Sequence, residues 1–183
     1  MRTITVGQFS SLDGVVESPE KWHMPYVDQE MMAAIWSEPA DTLLLGRVTY
    51  DSFAGAFATL PDDDPVGGPM NRPSKVVVSR TRPALAWRNS HLLPAGDLAE
   101  RVAELKAGPG GPISVVGSIS VVRALLSAGL VDRLSLLIHP IVVGAGQRLF
   151  PGDGPQVHLT LEKCDVLRSG VTHHLYTVNQ GRR

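Results

Sequence analysis

The chain has 183 residues, 43% of them hydrophobic and 19% charged, and its formal net charge is −1. That length supports one hydrophobic core, so a single domain over residues 1–183 is expected. The balanced charge argues against nucleic acid or a membrane surface as a partner, and the one cysteine, Cys164, excludes an internal disulfide or a multi-cysteine zinc site and fits a reducing cytoplasm.

The opening MRTITVGQFSSLDG has no secretory h-region, which adds to the expectation of a cytoplasmic protein. Thr3 to Phe9 alternates and is β-branched, predicting a strand, and a loop follows from Ser10 to Pro25. Met31, Met32, Ile35 and Trp36 have helical spacing, predicting a helix over Asp28 to Trp36 with Asp28 in its first turn and Pro39 as its stop. Thr42 to Leu45 reads as a short buried strand, Val48 to Phe57 as a helix, and Ala58 to Pro73 as loop. A buried strand lies within Ser74 to Arg80, and an amphipathic helix spans Leu98 to Lys106. A turn at Gly108 to Pro112 leads into a strand over Ile113 to Val116, then a helix over Ser118 to Ala128 with Gly129 as its C′ residue. Asp132 to Val143 reads as a long strand. Val157 to Val166 and Val171 to Val178 read as an antiparallel pair turning near Ser169-Gly170, and NQGRR as a frayed tail. The order predicts an α/β fold with a mixed, mostly parallel sheet and an antiparallel C-terminal edge.

In LLLGRVTYDSF, Leu43 to Phe53, a strand ends in glycine and a helix opens. Such a junction binds anions: the first helical N–H groups lack internal partners, and glycine lets a phosphate approach the backbone. Gly46 supplies that approach, Arg47 adds a fork that matches phosphate oxygens, and Thr49 adds a hydroxyl. The plainer alternative is a tight connection with a surface arginine. VVGSIS, Val115 to Ser120, repeats the arrangement, with Gly117 at the turn and Ser118 as N-cap or phosphate donor. Ser79 and Arg80 at a third strand end suit the 2′-phosphate of NADP, or else begin a loop. Several such junctions in one parallel sheet point to a phosphate-rich ligand across the strand ends.

These stretches, with SLDG (Ser11 to Gly14), KVVVSRT (Lys75 to Thr81), ISVVGSISVVRALLSAGLVDRL (Ile113 to Leu134) and HPIVVGAGQRLF (His139 to Phe150), resemble the dihydrofolate-reductase-like superfamily. Within it the chain is similar to the reductase domain of riboflavin biosynthesis, the C-terminal half of the bifunctional deaminase-reductase, and its stand-alone relatives. The resemblance covers nearly the whole chain. It implies a three-layer α/β/α fold, NADPH as cofactor and a homodimer. It also implies cofactor contacts at Val16, Gly46, Arg47, Thr49, Ser79, Arg80, Thr81, Gly117, Ser118 and Ile119, with the segment after Asp13 near the nicotinamide.

The sequence also departs from its relatives. KWHMPYVDQE, Lys21 to Glu30, carries the Trp-x-x-Pro of dihydrofolate reductase as Trp22 and Pro25, but Val27 stands where its carboxylate belongs and Asp28 follows one place later. The alanine-aspartate-aspartate-proline motif of the riboflavin reductase is absent, and Gly117-Ser118 replaces adjacent glycines. Asp13 is a candidate acid that orients a substrate amine or relays a proton, or else a turn aspartate bonding its own backbone. Asp28 is the second catalytic candidate. Trp22 and Tyr50 either wall a substrate pocket or belong to the core. GAGQRL, Gly144 to Leu149, half-matches a dinucleotide fingerprint, but Leu149 replaces the third glycine and Pro151 follows, so a glycine turn or bulge is favoured. The six histidines are scattered, and no metal is expected. The expectation is an NADPH-dependent reductase of a small heterocyclic or sugar-linked substrate. The alternatives are a nucleotide-binding or redox-sensing module without turnover, and a dihydrofolate reductase.

Overall fold

The computed structural model describes residues 1–38, 40–81, 83–150, 152 and 156–179. The expectations at Pro39, at Pro151 and in the tail from Gln180 lie outside the described residues. Eight strands follow the order β4-β3-β2-β5-β1-β6-β8-β7 in one mixed sheet. They are β1 (Ile4–Ser11), β2 (Thr42–Gly46), β3 (Ser74–Val78), β4 (Ser90–Leu92), β5 (Ile113–Val116), β6 (Arg133–His139), β7 (Leu159–Val166) and β8 (Thr172–Val178). The α-helices are α1 (Gln29–Ile35), α2 (Arg47–Phe57), α3 (Gly67–Asn71), α4 (Leu98–Ala107) and α5 (Ile119–Ser127). The chain divides into two compact units, Met1–Ile4 with Pro39–Leu130 and Thr5–Glu38 with Val131–Arg183.

In the first unit β4, β3, β2 and β5 lie parallel. Leu43, Leu44 and Leu45 of β2 are all buried, as expected of a central parallel strand covered on both faces. The register pairs Gly46 with Val78 and Leu44 with Val115, so β3, β2 and β5 finish side by side. Helix α5 ends in a Schellman motif: Gly129 has φ 65°, Leu130 N–H reaches Leu125 O and Gly129 N–H reaches Leu126 O. Two elements escaped the sequence reading. In α3 the Asp64 carboxylate accepts from Val66 N and Gly67 N within a segment taken as loop. Strand β4 has only three residues, too few for a period.

In the second unit β1 runs parallel to β6, and β6, β8 and β7 are antiparallel neighbours. The strand expected to reach Val143 stops at His139, because Pro140 has no N–H to continue the ladder. Asp28 caps α1 instead of beginning it: its Oδ1 accepts from Met31 N at 2.8 Å. The turn at Ser169-Gly170 forms as expected, with Gly170 at φ 83°. A core of Met31, Leu137, Leu167 and Val171 takes in the partly buried Phe9 and Tyr26.

Candidate functional site

The Gly-Arg junction of the first unit is one side of a hydrogen-bonded knot. Gly46 N–H donates to Ser118 Oγ at 2.8 Å, and that hydroxyl donates to Thr49 Oγ1 at 2.9 Å. Ser118 N–H donates to the same Thr49 oxygen at 3.0 Å. Gly117 and Ser118 both lie in the left-handed region, at φ 60° and 53°. A Cβ on Gly117 would meet Thr49 Cγ2 at 3.0 Å, so a side chain here is disfavoured by both the backbone angle and the close contact. The serine has no cap bond to its own helix; its hydroxyl ties the start of α5 to the end of β2. The phosphate-donor role anticipated for Ser118 is thereby taken up internally. Thr49 Oγ1 accepts two bonds and keeps its own hydrogen to donate.

Around this knot, Ile119 opens α5 and Arg47 opens α2. Arg47 Nε pairs with Asp51 at 2.5 Å on the exposed helix surface. The register sets Val78 opposite Gly46, so Ser79, Arg80 and Thr81 leave the sheet next to the knot. Ser79 Oγ accepts from Thr81 N at 3.2 Å, and Arg80 is exposed. The structure thus brings Gly46, Arg47, Thr49, Gly117, Ser118 and Ile119 to one end of adjacent strands, with Ser79 to Thr81 at the next strand end.

Tyr50 does not wall a pocket. It is 2% exposed, its hydroxyl accepts from Trp87 N at 3.0 Å, and its ring packs on Trp87, which is the core alternative. Close by is a polar cluster that sequence reasoning missed. Asn71 accepts from Trp87 Nε1, and Lys75 Nζ donates to Asn71 O and Pro73 O over the Trp87 ring. Burial, with the nearby Arg88 charge, pushes the Lys75 ammonium down to about 8.

In the second unit the segment after β1 zips onto the segment after β6. Leu12 N–H reaches Ile141 O, and Val16 N–H reaches Gln147 O. Asp13 fastens this zip: its carboxylate accepts from Ser11 Oγ, Val143 N and Gly144 N, and Arg148 pairs with it at 3.6 Å. The Ser11 hydroxyl and then the Val143 N–H hold Asp13 down to about 2. A carboxylate so engaged is a turn aspartate bonding backbone, with three of its four partners over a hundred residues away in the chain. Asp28 is likewise engaged, as the cap of α1. Val16 is buried at 4%. GAGQRL supplies the other side of the zip and opens no helix, as the missing third glycine predicts. A Cβ on Gly146 would meet Val15 at 2.7 Å.

Trp22 is buried, and its Nε1 donates to Glu17 O at 3.2 Å. Its ring meets His139 edge-on at 5.1 Å. Phe9, Tyr26 and His23 complete a ring of aromatic neighbours about His139. His139 has no exposed surface. The available signal was a histidine inside the apolar run LLIHPIVV. Burial pushes both His139 and His23 below the usual imidazole range.

A depression of about 580 Å³ lined by Asp41, Ser74 and Ser90 lies at the opening ends of β2, β3 and β4, away from the glycine turns. Ligands of open α/β sheets bind beyond the carboxyl ends of strands, so we assign the site by strand polarity rather than by concavity. Among the described residues no group of three or more His, Cys, Asp or Glu is placed to hold a metal ion, and no helix is long and apolar enough to cross a membrane.

Comparison with known proteins agrees with this architecture. The chain is 28% identical over 184 residues to the uncharacterized protein YyaP of Bacillus subtilis (strain 168), covering 97% of this chain and 96% of that protein. A candidate riboflavin biosynthesis protein of Shewanella sp. PV-4 superposes with a TM-score of 0.74 at 21% identity, covering 97% and 99% of the two chains. A pyrimidine reductase-like protein of Corynebacterium diphtheriae gives 0.65 at 19% identity, covering 98% and 93%. Dihydrofolate reductase of Enterococcus faecalis, solved with NADP(H) and RAB-propyl, gives 0.64 at 16% identity, covering 97% of each chain. The fold is therefore the three-layer α/β/α fold of dihydrofolate reductase, with a mixed, mostly parallel sheet and an antiparallel edge. The family model of the RibD C-terminal domain matches residues 2–173, and the chain belongs to that family.

Proposed function

We propose that the protein is an NADPH-dependent reductase of a small heterocyclic or sugar-linked substrate, acting as one domain. The substrate class that fits best is the ribosylaminopyrimidine, as in a 5-amino-6-(5-phosphoribosylamino)uracil reductase of riboflavin biosynthesis. The observation that carries this reading is the convergence of glycine-opened helix starts at Gly46 and Gly117 with the cations Arg47 and Arg80. The donor set fits a phosphate-rich cofactor: backbone N–H groups at two helix starts, a threonine hydroxyl with its hydrogen to give, and two guanidinium groups.

In this reading the N-termini of α2 and α5 and Arg47 hold the pyrophosphate, and Arg47 shares its fork between Asp51 and phosphate. Arg80 and Ser79 take the 2′-phosphate, which selects NADPH over NADH. Bound NADPH supplies a hydride for a C=N or C=O carbon. Trp22 belongs to the substrate side, while Asp13 fixes the zipped loops and therefore acts by position. Leu161 at 52% and Val166 at 77% exposed on edge strand β7 support self-association as a homodimer, and the single cysteine supports a cytoplasmic setting.

A second reading, a nucleotide-binding module without turnover, draws on one observation: both candidate acids, Asp13 and Asp28, are engaged by backbone N–H groups. Single-turnover oxidation of NADPH with the ribosylaminopyrimidine separates the two. Consumption of cofactor in step with substrate is expected. Tight NADPH binding with no oxidation across a panel of pyrimidines and dihydrofolate would favour the second reading.

A further inference from the structure

His139 carries a hydrogen-bonding capacity that the fold leaves unused. Its Nδ1 faces two carbonyls, Leu137 O at 3.0 Å and Ser10 O at 3.3 Å. Carbonyls only accept, so Nδ1 bears the ring hydrogen and Nε2 is left as a bare acceptor. That Nε2 is buried and has no hydrogen-bond partner among the described residues. Its surroundings are the rings of Phe9, Trp22, Tyr26 and His23, which offer no donor to it. A buried acceptor without a donor is unfavourable, and natural structures rarely keep one without a reason.

The neighbouring ring is unusual in the same way. His23 lies against Phe9 with ring centroids 4.8 Å apart and 27° between planes, the arrangement of a stacked heterocycle. It stands 6.2 Å from His139 at 90°. Its Nδ1 is also buried and unpartnered among the described residues. The ring is carried by two single-turn 3₁₀ segments, Pro19–Lys21 and Met24–Tyr26, entered through Ser18 at φ 47°. Met24 and Pro25, which follow His23, are exposed, while Trp22 and Tyr26 on either side are packed.

We propose that the His23 imidazole occupies the seat of a flat heteroaromatic ligand, which replaces it on Phe9 and donates an N–H or O–H to Nε2 of His139. His139 is then a specificity-determining residue: rings that present a donor edge are accepted, and rings that present only acceptors or alkyl groups leave Nε2 unpaired. The inference deepens the reductase reading and rests on it only for the class of ligand, an aminopyrimidine.

The test is a titration of diaminouracil into protein carrying isotope-labelled histidine, read by imidazole nitrogen NMR at neutral pH. Without ligand, His139 should show the Nδ1–H tautomer. With ligand, its Nε2 resonance should move as it accepts a hydrogen bond, and His23 should take on the signature of a solvated imidazole. His23→Ala should bind diaminouracil roughly threefold to tenfold tighter, because the seat starts vacant. His139→Phe should bind it about tenfold weaker. A wild-type titration that leaves Nε2 unmoved up to the solubility of the probe overturns the proposal, whether or not the variants fold. So does a His23→Ala protein that binds no tighter. NADPH turnover with a pyrimidine while His139 stays silent defeats this inference alone. A His139 response without turnover on any pyrimidine leaves it standing and counts against the reductase.

Discussion

At the strand-end knot of the first unit the side chains of Thr49 and Ser118 bond to each other and to the backbone of Gly46 and Ser118. In the aromatic box of the second unit two imidazole nitrogens, one on His23 and one on His139, have no such partner among the described residues. The first region is pre-formed, with its geometry set by bonds within the fold. The second is assembled from rings on β1, on β6 and on the segment between β1 and α1, and its two unpartnered nitrogens are the feature that sets it apart. A pre-organised set of helix starts suits a ligand recognised through its phosphates, whereas an apolar box with unpaired acceptors suits recognition of a flat ring by its polar edge.

The contrast can be broken most sharply at Gly117. Gly117→Val places a β-branched side chain at φ 60° and a Cβ 3.0 Å from Thr49. A loss of about 2–4 kcal/mol in urea unfolding is expected, together with loss of NADPH binding. A variant of unchanged stability would mean that the turn is not fixed. Next in size is Arg80→Ala, at an exposed residue. It should weaken NADPH by about tenfold to a hundredfold in a fluorescence titration, leave NADH unchanged, and shift stability by less than about 0.5 kcal/mol. Equal losses for both cofactors would remove Arg80 from the 2′-phosphate.

The pH response concerns the buried imidazoles of the second unit. His139 and His23 have imidazoles depressed by burial in the fold, so below their ordinary value of 6.5 the unfolded chain binds protons first. Stability should therefore fall as pH drops from about 6.5 towards 5, by at most about 1.4 kcal/mol per pH unit for each group. Asp13 adds nothing to that slope. Its contribution is fully present above 3.8 and is lost only as pH falls through about 2. Burial pushes His173 down as well, so a His23→Ala, His139→Phe double variant should reduce the slope and leave the share of His173, and denaturant melts across this window read it directly.

The same contrast governs what could be read in advance. Gly46, Gly117 and Ser118 announce themselves because a strand ending in glycine before a helix is a local pattern, complete within a few residues. The strands β2, β3 and β5 are equally legible as short apolar runs. Asp13, Tyr50 and His139 are decided by distant partners: Val143 and Gly144 for Asp13, Trp87 for Tyr50, and the rings of a separate loop for His139. Nothing within a window of ten residues carries that information. Asp28 shows the intermediate case. Its place at the start of α1 is visible from spacing, but its bond to Met31 N, which commits the carboxylate, is not. Strand β4 and helix α3 were too short for any period to declare them.

The central claim is that the knot at Gly46, Thr49, Gly117 and Ser118 is the floor of an NADPH site. Thermal unfolding without ligand, with NADPH and with NADH tests it most directly. At about 100 times its Kd, NADPH should add roughly 2.7 kcal/mol and raise Tm by about 5–10 °C, with a smaller rise for NADH. An unmoved Tm with both cofactors at millimolar concentration would contradict the claim and leave family membership as a statement about fold alone.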